Sequence, residues 1–209
     1  LQGPHGPFFH QLGRMLGAAG AGVWRVAFNR GDEAFWFNKA TLIRYTDPPG
    51  DWPARIRALL AEKGVTDLVL YGDTRPIHAE AIAAAHAAGV TVHVFEEGYL
   101  RPYWVTYERG GSNGNSRLMN LGVAEMRAAL AQSEIEFPEA PPRWGDMRHH
   151  IFYGALYHFF VLALNRRYRD FRPHRDITVI EEFHLYLHRL LLMPVYRIER
   201  ALATLRVRR

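Results

Sequence analysis

Leu68-Val-Leu-Tyr71 opens the stretch of sequence that decides the fold, which continues through the alanine-rich residues 79–88 to Val90-Thr-Val-His-Val-Phe95. The two apolar runs predict strands, and the alanines between them predict a helix that can pack closely on a sheet. A strand, a helix and a strand at this spacing form a βαβ unit. We therefore expect an α/β fold with a Rossmann-like parallel sheet that is covered by helices.

The residues before this unit predict further elements of the same kind. Val23-Trp-Arg-Val-Ala-Phe28 alternates as a strand does, and a helix is expected near 52–63. The opening turn, residues 1–8, is rich in Gly and Pro and leads into a helical pattern that reaches Leu16. Since such a turn normally follows a strand in an α/β protein, and no strand precedes it here, we expect the sequence to start one strand late.

The residues after the unit predict a loop, a linker and a helical tail. Residues 110–116 form a glycine-rich loop, and a short helix is expected over 123–131. We predict a Rossmann-like domain over 1–133, a proline-containing linker over 134–146 and a basic helical segment over 147–209. Three helices are expected in that segment, near 147–165, 178–191 and 195–207.

An apolar run of 14 residues, Ile151 to Leu164, stands out in the helical segment. It contains His158, and a helix that spans a bilayer needs about 20 apolar residues. We therefore interpret the run as a buried or domain-bridging helix. An interfacial amphipathic helix is the alternative.

The composition is that of a globular protein, with 48% hydrophobic and 22% charged residues. The absence of cysteine excludes disulfides, thiolate zinc sites and cysteine nucleophiles. The net charge of +5 is uneven: residues 1–142 carry 13 basic and 15 acidic side chains, whereas 143–209 carry 13 and 6. A tail of net charge +7 suits an anionic partner, either nucleic acid or an acidic membrane surface, and a solvated helical face is the alternative.

Several common catalytic motifs are absent from the sequence. No Walker-type phosphate loop, His-Glu-x-x-His pair or Gly-x-Ser-x-Gly elbow occurs, so metalloprotease and serine hydrolase functions lose their usual support. The glycine cluster 17–22 has the wrong spacing for a dinucleotide fingerprint and follows a helix instead of a strand. The opening residues also lack the charged and apolar regions of a signal peptide, so we do not expect a secretory precursor.

Three polar turns follow predicted strands, at 29–32, 72–78 and 96–102, where α/β sheets bind ligands. At the last turn, adjacent glutamates point to opposite sides, so at most one faces the cleft. We favour Glu97 as a nucleophile or general base at a sugar carbon. The structural alternative is an acidic junction that pairs with Arg101.

The other candidate site residues are polar side chains in turns. Asp73 could cap the following helix or bind substrate, and Arg75 could pair with a carboxylate, a sugar acid or a phosphate. His5 precedes a helix, where an anion or a sugar could bind. For each of these residues a structural role is the alternative. The predicted substrate-binding residues are Gln2, His5, Asn29, Asp32, Asp73, Arg75, His78, Arg101, Asn113 and Ser116, and no metal site is predicted.

Four motifs in a fixed order carry a resemblance to a known family. They are Gln2-Gly-Pro-His-Gly-Pro-Phe-Phe9, Phe28-Asn-Arg-Gly-Asp32, Tyr71-Gly-Asp-Thr-Arg-Pro-Ile-His78 and Glu96-Glu-Gly-Tyr-Leu-Arg-Pro102. Together they resemble the capsule polysaccharide biosynthesis/export family, and within it the KpsS-type β-Kdo transferases of Gram-negative bacteria. The resemblance covers residues 1–120 strongly and the helical tail loosely.

This resemblance implies a retaining glycosyltransferase that moves Kdo from CMP-β-Kdo to a (lyso)phosphatidylglycerol acceptor and so starts a poly-Kdo linker. It implies a twin-domain GT-B-like architecture and an acidic catalytic residue in the Glu96-Glu97-Gly98 motif, with Glu97 as the first candidate and Glu96 as the second. The implied location is the cytoplasm, on the inner face of the cytoplasmic membrane. The implied partners are the nucleotide-sugar donor, the lipid acceptor, the anionic membrane surface and other capsule assembly proteins, without nucleic acid and without a cofactor.

Two departures from the family pattern limit the resemblance. The family's second half carries a His-Pro motif for the CMP phosphate, and no His-Pro dipeptide occurs in these 209 residues. We therefore expect the chain to be the N-terminal, acceptor-side portion, inactive alone, with the helical segment bridging to a nucleotide-binding domain. Arg30 also stands where the family pattern has a small residue. Two other functions stay open, a nucleotide-sugar epimerase and a basic binding module without catalytic activity.

Overall fold

The computed structural model describes residues 1–98, 104–133, 147–171 and 179–207. The chain divides into two compact units, Leu1–Phe171 and Arg172–Arg209. The predicted linker, residues 134–146, lies outside the described residues, and the predicted domain division there stays a prediction.

The first unit alternates helices and strands. The helices are α1 (Phe8–Ala18), α2 (Arg30–Ala34), α3 (Trp52–Glu62), α4 (Pro76–Ala87), α5 (Val123–Ala131) and α6 (Arg148–Ala163). The strands are β1 (Arg25–Ala27), β2 (Leu42–Arg44), β3 (Asp67–Tyr71), β4 (Thr91–Glu97) and β5 (Val105–Arg109). Short 3-10 turns occur at Lys39–Thr41, Pro49–Asp51, Asn113–Asn115, Arg117–Asn120 and Asn165–Arg167.

The strands form two small sheets. β1 pairs with β2 in parallel, with Arg25 opposite Leu42, and β3 pairs with β4 in parallel, with Asp67 opposite Thr91. The predicted βαβ unit, which is β3, α4 and β4, is confirmed, and so is an α/β fold with parallel strand pairs. The prediction of a wholly parallel sheet is wrong at β5, which is antiparallel to β4. Only seven residues connect these two strands, whereas a parallel crossover needs about a dozen or more.

The main core lies between the helices α3 and α4 and the strands β1, β3 and β4. Trp52 at the start of α3 is 1% exposed, and its indole nitrogen donates to the Ile77 carbonyl over 2.8 Å. This bond joins the first turns of the two helices. The alanines of α4 let it approach the sheet closely, as the sequence predicts. The buried alanines and their strand partners are Ala81, Ala84, Ala85, Leu68, Leu70, Val92 and Val94.

Helix α6 packs against α2 in the first unit. The Tyr157 ring lies where a Cβ on Gly31 would be, so the glycine permits the close approach of the two helices. Tyr157 and Val161 are buried, whereas Phe152 and Phe159 are more than half exposed. The apolar run 151–164 therefore buries one face and leaves the other exposed.

Glu33 joins α2 to β2 and to Tyr168, which follows α6 in the chain. Its carboxylate accepts hydrogen bonds from Arg44 at 2.8 and 3.0 Å and from the Tyr168 hydroxyl at 3.0 Å, and it pairs with Arg30 at 2.8 Å. Burial alone would raise the pKa of the Glu33 carboxyl, but the hydrogen bonds from Arg44, Arg30 and Tyr168 lower it to about 2. The ionised form of Glu33 therefore stabilises the fold.

We expect this carboxylate to make the fold sensitive to acid. Its stabilisation is complete above the ordinary pKa of 4.5 and is lost as the pH falls through about 2. The contribution is at most about 3 kcal/mol, and solvent screening of the arginines, each more than a third exposed, reduces it. Urea unfolding between pH 6 and pH 2 should show a steeper loss of stability for the natural chain than for Glu33→Gln. Equal slopes would contradict this role.

The second unit contains one long helix among its described residues, α7 (Val179–Val207). The prediction of two helices, near 178–191 and 195–207, is wrong, because α7 continues through Pro194. A proline removes the hydrogen bond of its own nitrogen and costs about 3 kcal/mol, yet strong helix formers on both sides can carry the helix past it. Within the described part of the chain, no helix is long and apolar enough to cross a bilayer.

Candidate functional site

Polar side chains converge after β1 and β3 and in the N-terminal turn. The convergence begins with Gln2, which is 5% exposed and connects three parts of the chain. Its carbonyl oxygen accepts from Arg75 Nη1 over 2.7 Å, and its amide nitrogen donates to Asp32 Oδ2 at 3.4 Å and to the Tyr157 hydroxyl at 3.3 Å. The structure thus brings together residues from the first three predicted motifs.

Asp73 connects the turn after β3 to the glycine-rich loop. One of its oxygens, Oδ2, accepts from the Ser112 backbone N–H at 2.8 Å and from Asn115 Nδ2 at 3.1 Å. The other oxygen, Oδ1, is buried and has no hydrogen-bond partner among the described residues, and the same holds for Ser112 Oγ. Two buried polar atoms at this junction therefore have unused hydrogen-bonding capacity within that part of the chain.

His78 lies in the first turn of α4 and is fully buried. Its Nδ1 is 2.6 Å from the Gly72 carbonyl oxygen, which can only accept, so the proton of the neutral ring sits on Nδ1. Burial lowers the pKa of His78 well below its ordinary value. The bare Nε2 is a buried acceptor with no hydrogen-bond partner in the described ranges.

Asn29 and Asp32 are buried and bonded to other parts of the protein. Asn29 caps α2 by accepting from the Asp32 N–H at 2.9 Å and donates to the Tyr157 hydroxyl at 2.7 Å. Asp32 accepts from the Phe28 N–H at 3.1 Å and pairs with Arg25 at 3.3 Å. Burial raises the pKa of Asp32, and the charge of Arg25 opposes that rise. These contacts hold the first turn in place, and direct binding of substrate by either residue stays a prediction.

Glu96 and Glu97 lie on opposite faces of β4. Glu96 is on the face of the buried Val94, and a Cβ on Gly72 would lie 3.3 Å from its Oε1. Gly72 has φ +72°, which favours glycine, so the chain turns closely past this carboxylate. Glu97 is on the face of Phe95, whose ring packs against Phe8 in α1 at 5.6 Å. That face is the one against which α1 packs.

The remaining predicted residues differ in exposure. His5 is exposed, stacks on the Tyr157 ring at 4.4 Å and meets the His158 ring edge-on at 5.0 Å. Asn113 is exposed, with φ +51°, and starts a 3-10 turn. Ser116 is buried, donates to Glu108 Oε2 and caps the next turn by accepting from the Leu118 N–H. The predicted residue Arg101 lies outside the described residues.

Sequence reasoning missed three residues of this network, which are Arg25, Ser112 and Tyr157. Arg25 is buried inside β1, and burial lowers its pKa although Asp32 raises it. Burial also raises the pKa of Tyr157. Its hydroxyl oxygen accepts hydrogen bonds from the side-chain amides of Gln2 and Asn29. Tyr157 is 128 residues from Asn29, so no local pattern could have identified it. In the described ranges no three His, Asp or Glu side chains are grouped as a metal site requires.

The chain is similar in sequence to a known protein family and to individual capsule proteins. A family model described as "Capsule polysaccharide biosynthesis protein" matches residues 66–204. The chain is 39% identical over 118 residues, 56% of its length, to the "Capsule polysaccharide export protein KpsS" of Escherichia coli. It is 32% identical over 178 residues, 84% of its length, to the "Capsule polysaccharide modification protein LipB" of Neisseria meningitidis, in serogroups B and A alike.

The alignments cover only part of each relative. They span 30% of the E. coli protein and 42% of each Neisseria protein. No solved structure matches the chain at a comparable significance. The family model covers more than half of the 209 residues and includes the motifs at 71–78 and 96–102, and the KpsS-type resemblance is confirmed. The chain therefore belongs to the capsule polysaccharide biosynthesis protein family.

Proposed function

We propose that the chain is the acceptor-side part of a capsule glycosyltransferase. The reaction is transfer of Kdo from CMP-β-Kdo to a (lyso)phosphatidylglycerol acceptor, with retention at the anomeric carbon. Family membership supports a role in capsule biosynthesis. The observation that carries the proposal is the unused hydrogen-bonding capacity of Asp73 and Ser112, which are bonded to each other, and of His78 in the first turn of α4.

The three buried atoms have complementary hydrogen-bonding capacities. Asp73 Oδ1 and His78 Nε2 accept hydrogen bonds, and Ser112 Oγ can both donate and accept. A buried polar atom without a partner costs about 1–3 kcal/mol, which a ligand recovers when it supplies the missing bond. A sugar or a glycerol headgroup offers several hydroxyls that donate and accept. Such a ligand suits this set better than an apolar one.

The charged residues have two proposed roles, anion binding by the arginines and catalysis by the glutamates. Arg75 brings a guanidinium that can pair with the carboxylate of Kdo or the phosphate of the lipid. Arg101 is proposed to steer the same anions. Glu97 acts as nucleophile or general base, and Glu96 supports it.

As a nucleophile, the Glu97 carboxylate forms a bond to the anomeric carbon, while the bond to the CMP phosphate oxygen breaks and its electron pair leaves with CMP. The acceptor hydroxyl then displaces the carboxylate and loses its proton to a base. Two displacements at one carbon retain its configuration.

The transfer assay that tests this function uses the full-length protein. With lysophosphatidylglycerol as acceptor, CMP-β-Kdo should give a product one Kdo heavier by mass spectrometry, and UDP-sugars should give none. Conversion of a UDP-sugar to an isomer would support the epimerase alternative instead. Failure of every donor would overturn the proposed activity.

The membrane surface is the second proposed partner, and the basic tail is its contact. The four arginines of α7 that the structure describes are Arg189, Arg197, Arg200 and Arg206. Each cation near an anionic surface contributes about 1 kcal/mol, less once salt screens it. The proposed role of this charge is to hold the protein at the inner face of the cytoplasmic membrane, beside the proposed lipid acceptor.

Vesicle flotation tests this partner. The chain should float with phosphatidylglycerol vesicles at least tenfold more than with phosphatidylcholine vesicles, and the difference should fall as salt rises. Replacing the four arginines by glutamine should remove most of the preference, whereas replacing Arg55 and Arg57 of α3 should not. Equal flotation with both lipids would show that the tail serves contacts within the protein.

A further inference from the structure

A cavity of about 740 Å³ lies between the two sheets of the first unit. Its side walls are β1 and the start of β3, and Leu12 of α1 and Leu59 of α3 also line it. Among the described residues, β1 pairs with β2 alone and β3 with β4 alone, so each of β1 and β3 keeps one edge that no other strand covers. The cavity therefore combines two open strand edges with apolar walls.

Leu1 lies at one end of this cavity and bonds to both walls. Its nitrogen donates to the Val69 carbonyl over 2.5 Å, and its carbonyl accepts from the Arg25 guanidinium. The bond to Val69 is of the kind that a strand beside β3 makes in a ladder.

The position of the cavity relative to Leu1 determines the chain direction of a segment that would run through the cavity into Leu1. Its strand walls are residues 23–26 and 66–69, which lie towards the amino ends of β1 and β3. Leu1 bonds at Val69, the last residue of the second wall. Polypeptide that enters through the cavity and reaches Leu1 thus runs in the same direction as β1 and β3.

We propose that the cavity takes one extended strand, parallel to β1 and β3 and continuous with Leu1, which joins the two sheets into one. Apolar side chains cover both faces of the cavity, from α1 on one side and α3 on the other. A parallel strand that is buried on both faces is apolar throughout instead of alternating. The occupant is therefore an uninterrupted apolar segment of about five residues, the usual strand length.

The joined sheet has a recognisable topology. With the inserted strand first in the chain, β1 and β2 follow on one side and β3 and β4 on the other, an order of 3-2-1-4-5. In such sheets ligands bind at the carboxyl edge where the strand order reverses, here between the inserted strand and β3. Gln2 and Arg75 meet at this position, 2.7 Å apart. The inserted strand thus fixes the turn that carries Gln2 and His5.

A fusion experiment tests the proposal on the 209-residue chain. The segment Val-Ile-Val-Leu-Val is added before Leu1, behind a short Lys/Glu leader that keeps it soluble. Two controls carry the same leader, one with proline at the middle position and one with aspartate at the second and fourth positions. Hydrogen exchange is then measured by mass spectrometry on peptides that cover 23–26 and 66–69, together with the urea midpoint.

The apolar fusion should slow exchange in both peptides at least tenfold and raise the urea midpoint, and neither control should do so. Similar exchange in all three fusions, or protection of only one wall, would overturn the proposal. Sedimentation of each fusion is the further readout. Protection that appears only in a dimer would identify a second copy as the occupant and would also overturn it.

Discussion

Replacing Glu97 by glutamine in the full-length protein should reduce Kdo transfer at least a thousandfold and leave the fold intact. The amide keeps the shape of the side chain but can act neither as a nucleophile nor as a base. Loss of an activated nucleophile commonly costs about three or more orders of magnitude in kcat. Initial rates at saturating CMP-β-Kdo measure the change, and urea unfolding confirms that the fold is kept.

Glu96 provides the matched control for this substitution. It is adjacent in sequence and carries the same charge, but it lies on the other face of β4, beside Gly72. Glu96→Gln should therefore reduce the rate less than tenfold. A Glu97→Gln variant that keeps more than a tenth of the natural rate would show that Glu97 has a structural role. A thousandfold loss in Glu96→Gln alone would move the catalytic role to Glu96.

The largest expected effect on stability comes from Asp32→Ala, which should lower the free energy of unfolding by about 3–5 kcal/mol. Asp32 is 2% exposed, and its removal leaves the Arg25 guanidinium, 6% exposed, without its carboxylate. It also leaves the Phe28 N–H without its acceptor. Urea unfolding at pH 7 measures the loss.

Asp47 is an exposed aspartate in the same unit and serves as the control. Asp47→Ala should change the free energy of unfolding by no more than about 0.5 kcal/mol, as is usual at the surface. The double substitution Arg25→Met with Asp32→Leu should recover much of the lost stability, because it removes both buried charges. A loss below about 1 kcal/mol in Asp32→Ala would contradict the assignment of a buried ion pair.

The elements that the sequence predicted well have strong local patterns. The strands β3 and β4 are apolar runs, and α4 is a long alanine-rich segment, so each pattern alone identifies its element. β2 has only three residues, Leu42-Ile-Arg44, which are too few to show alternation. The antiparallel direction of β5 is explained by the short connection after Glu97, and the residues of β5 themselves do not indicate it. Pro194 indicated a helix end, but the good helix formers around it prevail.

The candidate site also contains residues that local sequence patterns predict and contacts that they do not. Asp73, Arg75 and the glutamates follow predicted strands, so the α/β rule places them at one edge of the sheet. Gln2 joins them through Arg75, which the sequence did not predict as a contact. Tyr157 belongs to α6, which the sequence assigned to a separate helical segment, and its burial depends on the tertiary packing of α6 on α2. Such contacts over more than a hundred residues leave no local signal.

Titration of the acceptor headgroup against the chain tests the central claim most directly, that the strand-end polar atoms receive the acceptor. Glycerophosphoglycerol, the soluble headgroup of phosphatidylglycerol, is added to the 15N-labelled 209-residue chain, and amide shifts are followed by NMR. The account predicts saturable shifts at Gly72–Arg75 and Ser112–Ser116, with affinity reduced at least tenfold in Arg75→Ala. Shifts that are absent, or that are confined to 179–207, would contradict it.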